Sequence, residues 1–203
     1  MRAGEMFAGY GGLAMAVHDV FDAETAWVAE FDPDASKVLD QRFPGVPNLG
    51  DVTAVDWSKV PPVDILAGGV PCQDLSLAGR RAGMTEGTRS NLWVAMREAV
   101  AAIRPEWVVF ENVGGALSAT AQSNMEQGEG RVGGTGDGPY LRALGRVLGD
   151  LASLGFDAEW RTLRASDVGA CHGRARVFVL AHAEGNAGRV GYGDRGAASC
   201  AEG

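Results

Sequence analysis

Met6-Phe7-Ala8-Gly9-Tyr10-Gly11-Gly12-Leu13 decides how this chain is read. A short apolar strand closes at Met6-Phe7, glycines follow at 9, 11 and 12, and Leu13, Ala16, Val17 and Val20 then recur at helical spacing through Phe21. A strand, a glycine turn and a helix in that order make the first half of a βαβ unit. The pattern repeats outward. Trp27-Val28-Ala29 predicts a second strand, and Pro33 after Asp32 opens a helix through Val38 and Leu39 to Phe43. Val63–Ala67 predicts a strand ended by Gly68 and Gly69, followed by a helix over Leu92–Ile103 and a strand over Trp107–Phe110. Together these predict an α/β fold, a doubly wound, mostly parallel sheet with helices on both faces.

Ser118–Pro139 interrupts the alternation. It is rich in Gly, Ser, Thr, Gln and Glu with almost no apolar content, and reads as a flexible insertion. Helical spacing resumes at Tyr140, Leu141, Leu144, Val147, Leu148 and Leu151 and ends near Gly155. Strands around Ala158–Leu163 and Val177–Ala181 complete the expected sheet. From about Ala183 the chain turns glycine-rich, which predicts one domain over residues 1–182 and a disordered tail over 183–203.

With 203 residues, 46% hydrophobic and 22% charged, the chain can bury one good core. No apolar run approaches the roughly 18 residues of a membrane span, so no membrane association is expected. No basic region or cleavage pattern precedes Phe7, so no secretory signal is expected either. Three cysteines do not make a disulfide scaffold, and no metal is expected. The expectation is a cytoplasmic protein with reduced thiols. A net charge of −8 argues mildly against an autonomous nucleic-acid binder. Yet Arg80, Arg81 and Arg89 cluster, as do Arg161, Arg164, Arg174 and Arg176, so one basic face remains open.

Five places carry chemistry. Gly9-Tyr10-Gly11-Gly12-Leu13-Ala14 fits the G-x-G-x-x-G/A turn, and Glu30 lies about 20 residues on, as a dinucleotide site needs. The same layout suits the ribose of S-adenosylmethionine, and periodicity does not separate the two. Phe31, beside Glu30, can lie on an adenine face. Asp51, expected to end a third short strand in Leu49-Gly50-Asp51-Val52, reads either as an adenine ligand or as a turn cap. Cys72, in Gly68-Gly69-Val70-Pro71-Cys72-Gln73, stands behind a proline that fixes the backbone, a geometry for presenting a nucleophile. Glu111, in Phe110-Glu111-Asn112-Val113, would share the crevice at neighbouring strand ends. Arg174 and Arg176 fall on one strand face by period two, able to clamp a carboxylate, a phosphate or a base carbonyl.

The ordered set of FAGYGG, AEFD, GD, GGVPCQ, RSNLW, ENV and RARVF, over roughly residues 4–181, resembles the cytosine carbon-5 DNA methyltransferases. The resemblance implies a Rossmann-like fold, S-adenosylmethionine as cofactor and DNA as substrate. It implies that Cys72 attacks carbon 6 of a flipped-out cytosine, and that Glu111 protonates or hydrogen-bonds N3. Arg174 and Arg176 would contact the base carbonyl and orient that glutamate. Gln73–Ser90, with Ser76 and Gly79, would be the loop that closes over the base. For the cofactor it implies contacts from Phe7, Gly9, Gly11, Gly12, Glu30, Phe31, Asp51, Val52, Pro71 and Leu92.

Two departures stand out. His172 replaces the usual glutamine before the arginine pair. The family continues into a target-recognition domain and a late Gly-Asn segment, whereas only about 20 glycine-rich residues follow the last expected strand here. Three readings stay open: the catalytic half of a split enzyme whose partner polypeptide supplies recognition, a truncated form that methylates nothing, or a non-catalytic S-adenosylmethionine-binding regulator. An oxidoreductase would bind NAD and leave Cys72 and Glu111 without a role.

Overall fold

A computed structural model describes residues 1–71, 92–113, 120–121 and 141–185. Six strands form one sheet in the order β2-β1-β3-β4-β8-β7: β1 (Arg2–Met6), β2 (Glu24–Ala29), β3 (Ile65–Gly69), β4 (Trp107–Val113), β7 (Phe156–Arg164) and β8 (Ala175–Ala183). β5 (Thr120–Ala121) and β6 (Leu141–Arg142) pair separately. β1 through β4 are mutually parallel where they pair, while β8 runs antiparallel to both β4 and β7. The chain leaves β1 to one side for β2 and returns to its other side for β3. That reversal opens a crevice beyond the carboxyl ends of β1 and β3.

Helices α1 (Gly12–Phe21) and α2 (Pro33–Arg42) cover one face, and α3 (Leu92–Ile103) and α4 (Ala143–Ser153) the other. The larger core lies under α3 and α4, where Met6, Trp27, Leu66, Trp93, Met96, Phe110, Leu151 and Val179 are buried. Trp93 also donates to Asp150 Oδ2 at 2.8 Å, and Arg146 meets the same oxygen at 3.3 Å, tying α3 to α4. On the opposite face Val17 of α1 packs on Ala3, Ile65 and Ala67. Beyond α1 no described residue covers that face. A groove of about 420 Å³ runs between α1 and strands β4, β8 and β7, lined by Val20, Phe21, Val109, Leu163, Phe178 and Leu180 among others. Among the described residues, no helix is long and apolar enough to cross a membrane.

Apart from the third strand, the expected elements are present in order, and α3 spans the predicted residues. The helix expected from Tyr140 begins at Ala143, after Leu141–Arg142 pairs as β6. Further details differ. β3 runs on through Gly68 and Gly69 instead of stopping before them, because both lie against large neighbours: a Cβ at Gly68 would sit 3.0 Å from the Met96 sulfur. β4 continues through Glu111, Asn112 and Val113 in register with β8, so Glu111 projects from a strand. No third strand forms at Leu49–Val52; Asn48 alone bridges to Val28. Pro47 has no N–H for a ladder, and Gly50 turns the chain at φ +75°. The strand β8 includes Ala183, one residue past the expected domain end. The expected insertion, apart from residues 120–121, and the tail beyond Gly185 lie outside the described residues.

Gly4 marks the tightest backbone approach. Its missing side chain lets β1 pass the Trp27 indole, which is fully buried and donates to the Pro61 carbonyl at 3.2 Å. Gly4→Ala would drive a methyl into that ring and is expected to cost about 1–3 kcal/mol, read from the denaturant midpoint.

Candidate active site

The crevice holds a cavity of about 410 Å³, within the range of small-molecule sites. Its floor is the turn from β1 to α1. Phe7, Gly9 and Gly11 all take positive φ there, at 56°, 54° and 81°. Gly11 is the N-cap of α1, and the Phe43 ring fills the space a side chain would need. A non-glycine residue in this region is costly, so the left-handed Phe7 marks a turn whose shape is imposed by its surroundings. Gly9 has open space on its side-chain side.

Glu30, ending β2, straps this turn. Its Oε2 accepts from Gly9 N at 2.7 Å and its Oε1 from Asp32 N at 2.7 Å. Each oxygen keeps a further lone pair for a ligand hydroxyl. Asn48 holds Glu30 from behind, accepting from its N–H at 2.9 Å and donating to its carbonyl at 3.1 Å. Phe31 is 75% exposed, with its ring free to meet an aromatic face. Asp51 is a turn cap: its Oδ1 accepts from Thr53 N at 2.9 Å and Thr53 Oγ1 at 2.8 Å. Those bonds hold its carboxyl below the ordinary range. The Val52 side chain is buried in the larger core. Pro71 is exposed at the end of β3, and Leu92 packs partly buried against that core at the start of α3.

Across the cavity stands Glu111. Arg176 Nε lies 2.8 Å from Glu111 Oε1, and its Nη1 donates to the Ala175 carbonyl at 2.8 Å, which fixes the guanidinium. Burial pushes the Glu111 carboxyl up; Arg176 and then Arg174 pull the other way and do not fully compensate. Gly69 pairs with Glu111 in the sheet, and a Cβ there would stand 3.2 Å from Glu111 Oε2, so the glycine clears that oxygen. Arg174 precedes β8 by one residue, off the strand, yet lines the cavity beside Glu111. His172 Nδ1 accepts from Arg174 N at 3.4 Å, a local bond within the bend. Asn112 Oδ1 accepts from Val113 N at 2.7 Å. Cys72, Arg80, Arg81, Arg89 and the rest of the expected closing loop lie outside the described residues.

Glu5 escaped the sequence reading. It is 3% exposed, yet it lines the cavity and accepts from Ala14 N at 3.1 Å. A carboxylate from β1 thus caps a helix whose own N-cap residue makes no side-chain cap. Burial pushes it up to about 7, despite the backbone bonds that lower it. The available signal was an acid between Gly4 and Met6 inside the first strand, two residues from Ala3 and therefore on the α1 face. The folded protein holds this proton where the unfolded chain has lost it. Stability is therefore expected to fall as pH rises from about 4.5 towards about 7. Glu5→Gln should flatten that stretch of the melting-temperature profile.

The arrangement separates the two cofactor readings. A pyrophosphate needs the free N–H groups of the helix terminus, and Glu5 occupies that terminus with an acid. The residues present suit a cofactor with ribose hydroxyls, an adenine ring and positive charge: Glu30, the exposed Phe31 and an acid-bearing cavity beside the open Gly9.

Comparison with known proteins agrees. The family described as C-5 cytosine-specific DNA methylase matches residues 1–192. The type II methyltransferase M2.BsuMI of Bacillus subtilis (strain 168) is 32% identical over 185 residues, 89% of this chain and 42% of that protein. The type II methyltransferase M.NgoBV of Neisseria gonorrhoeae is 28% identical over 180 residues, 86% of this chain and 40% of that protein. Schizosaccharomyces pombe Dnmt2 methyltransferase shares the fold with a TM-score of 0.65 at 16% identity, over 90% of this chain and 49% of that one. The chain spans less than half the length of each of these proteins. It belongs to the C-5 cytosine-specific DNA methylase family.

Proposed function

We propose that the chain is the catalytic domain, residues 1–182, of a DNA cytosine-5 methyltransferase. The observation that carries this is the Arg176-held Glu111 facing the Glu30-strapped glycine turn across one cavity. The family uses S-adenosylmethionine, which supplies an electrophilic methyl group on a sulfonium. Phe7, Gly9, Gly11, Gly12, Glu30 and Phe31 would hold it, together with Pro71 and Leu92. Asp51 would accept from the adenine amino group through Oδ2, since both turn bonds go to Oδ1, and Val52, its side chain buried in the core, would contribute backbone.

Carbon 5 of cytosine is a poor nucleophile until a thiolate adds to carbon 6. Cys72 is the residue for that addition. Glu111, whose carboxyl burial pushes above its ordinary range, would hold a proton at cytosine N3 so that the negative charge arriving from the thiolate is neutralised as it forms. Arg176 keeps the carboxyl aimed, and Arg174 is free to reach the base carbonyl. After methyl transfer, loss of the carbon-5 proton and of the thiolate restores the ring.

DNA recognition would come from a second polypeptide or further chain carrying the target-recognition portion. A chain working on DNA in this way would act in the cytoplasm. The test is transfer of radiolabelled methyl from S-adenosylmethionine to cytosine-containing duplex, with the chain alone and with the product of the neighbouring reading frame. Label recovered as 5-methylcytosine supports the proposal. Cofactor binding without transfer in either arm would favour a non-catalytic regulator.

A further inference from the structure

Methyl transfer removes the sulfonium charge, so the spent cofactor S-adenosylhomocysteine carries one positive charge less than the donor. We propose that Glu5 makes the cavity favour the cationic donor over its neutral product, which sets how readily the spent cofactor leaves. The inference rests on the S-adenosylmethionine reading above. Glu5 is buried at the cavity wall and bonded to a backbone N–H; among the described residues no cationic side chain pairs with it. The other acid lining the cavity, Glu111, is held by Arg176. Glu30 lies across the glycine turn and adds negative charge there, while among the described residues Arg174 is the cation lining the cavity, on the Glu111 side.

A carboxyl that is costly to ionise alone gains from a cation brought beside it. Its readiness to release a proton near pH 7 makes the effect switchable. Glu5 would act as an acid-rich wall that attracts the sulfonium and loses its hold once the methyl group has gone. The discrimination needs no contact with the leaving sulfur, because a unit charge in a half-enclosed cavity is felt over several ångströms.

The test is equilibrium binding of three probes to the full chain: S-adenosylmethionine, S-adenosylhomocysteine and sinefungin, whose amine keeps a positive charge at the sulfonium position. For Glu5→Gln, which can still accept from Ala14 N, both cationic probes are expected to weaken about tenfold and S-adenosylhomocysteine less than about twofold. Glu5→Asp should keep the wild-type ranking. In wild-type protein the preference for the cationic probes should shrink one pH unit below 7 and grow one unit above it, and in Glu5→Gln this change should vanish. Equal weakening of all three probes, or of none, would overturn the inference and leave the cofactor reading standing. Failure of all three to bind folded wild-type protein would overturn both.

Discussion

Given S-adenosylmethionine and the partner that supplies DNA recognition, DNA carrying 5-fluorocytosine is expected to trap the wild-type protein as a covalent complex that survives denaturing electrophoresis, and Cys72→Ala to leave no trapped species. The thiolate adds to carbon 6 and the methyl group to carbon 5, after which release requires carbon 5 to lose a proton. Fluorine in place of that hydrogen blocks the elimination, so the carbon–sulfur bond persists. On ordinary DNA the same variant should lower methyl transfer by about 10⁴-fold or more while binding S-adenosylmethionine as the wild type does. Trapping by Cys72→Ala would move the nucleophile to another residue. Loss of the folded state in that variant would make the thiol a packing group.

The second large effect concerns the ion pair across β4 and β8. Glu111→Gln is expected to reduce methyl transfer by about 10²–10⁴-fold with little change in cofactor affinity, because the amide cannot give up a proton. Arg176→Met tests the pair from the other side. Without the guanidinium at 2.8 Å, the burial that raises Glu111 goes less opposed, and its carboxyl should titrate at a still higher pH. If protonated Glu111 is the working form, the alkaline limb of the pH–rate profile should move upward in Arg176→Met, even as the rate falls. A downward shift would show that the ionised form works.

The fold was legible because apolar spacing acts over short stretches. Leu92, Trp93, Met96, Ala99 and Val100 announce α3 without reference to anything else, and Asp32-Pro33 caps α2 by local bonds alone. What escaped depended on distant neighbours. Gly68 and Gly69 read as strand breakers, yet sit in a strand because Met96 and Glu111 need their space. Glu5 could not be paired with Ala14 from sequence, since the turn between them must first fold back. Asn48 looks like a loop residue until Glu30 is seen leaning on it. In the site, Glu111 and Arg176 were found by their motifs, but the bond between them follows from β4 and β8 lying side by side. Asp51 shows the reverse: its position suits a ligand contact, and its actual bonds are those of an ordinary turn.

The acid at the start of α1 also bears on competition inside a cell. A site for S-adenosylmethionine would also meet ATP, an abundant compound with the same adenosine and a highly charged tail. Glycine turns of this kind ordinarily welcome that tail by pointing helix N–H groups at it. Here Glu5 has already taken such a group, and its carboxyl meets the phosphates with like charge as soon as it ionises. On the cofactor reading proposed above, the pocket would admit adenine and ribose while Glu5 disfavours a phosphate tail.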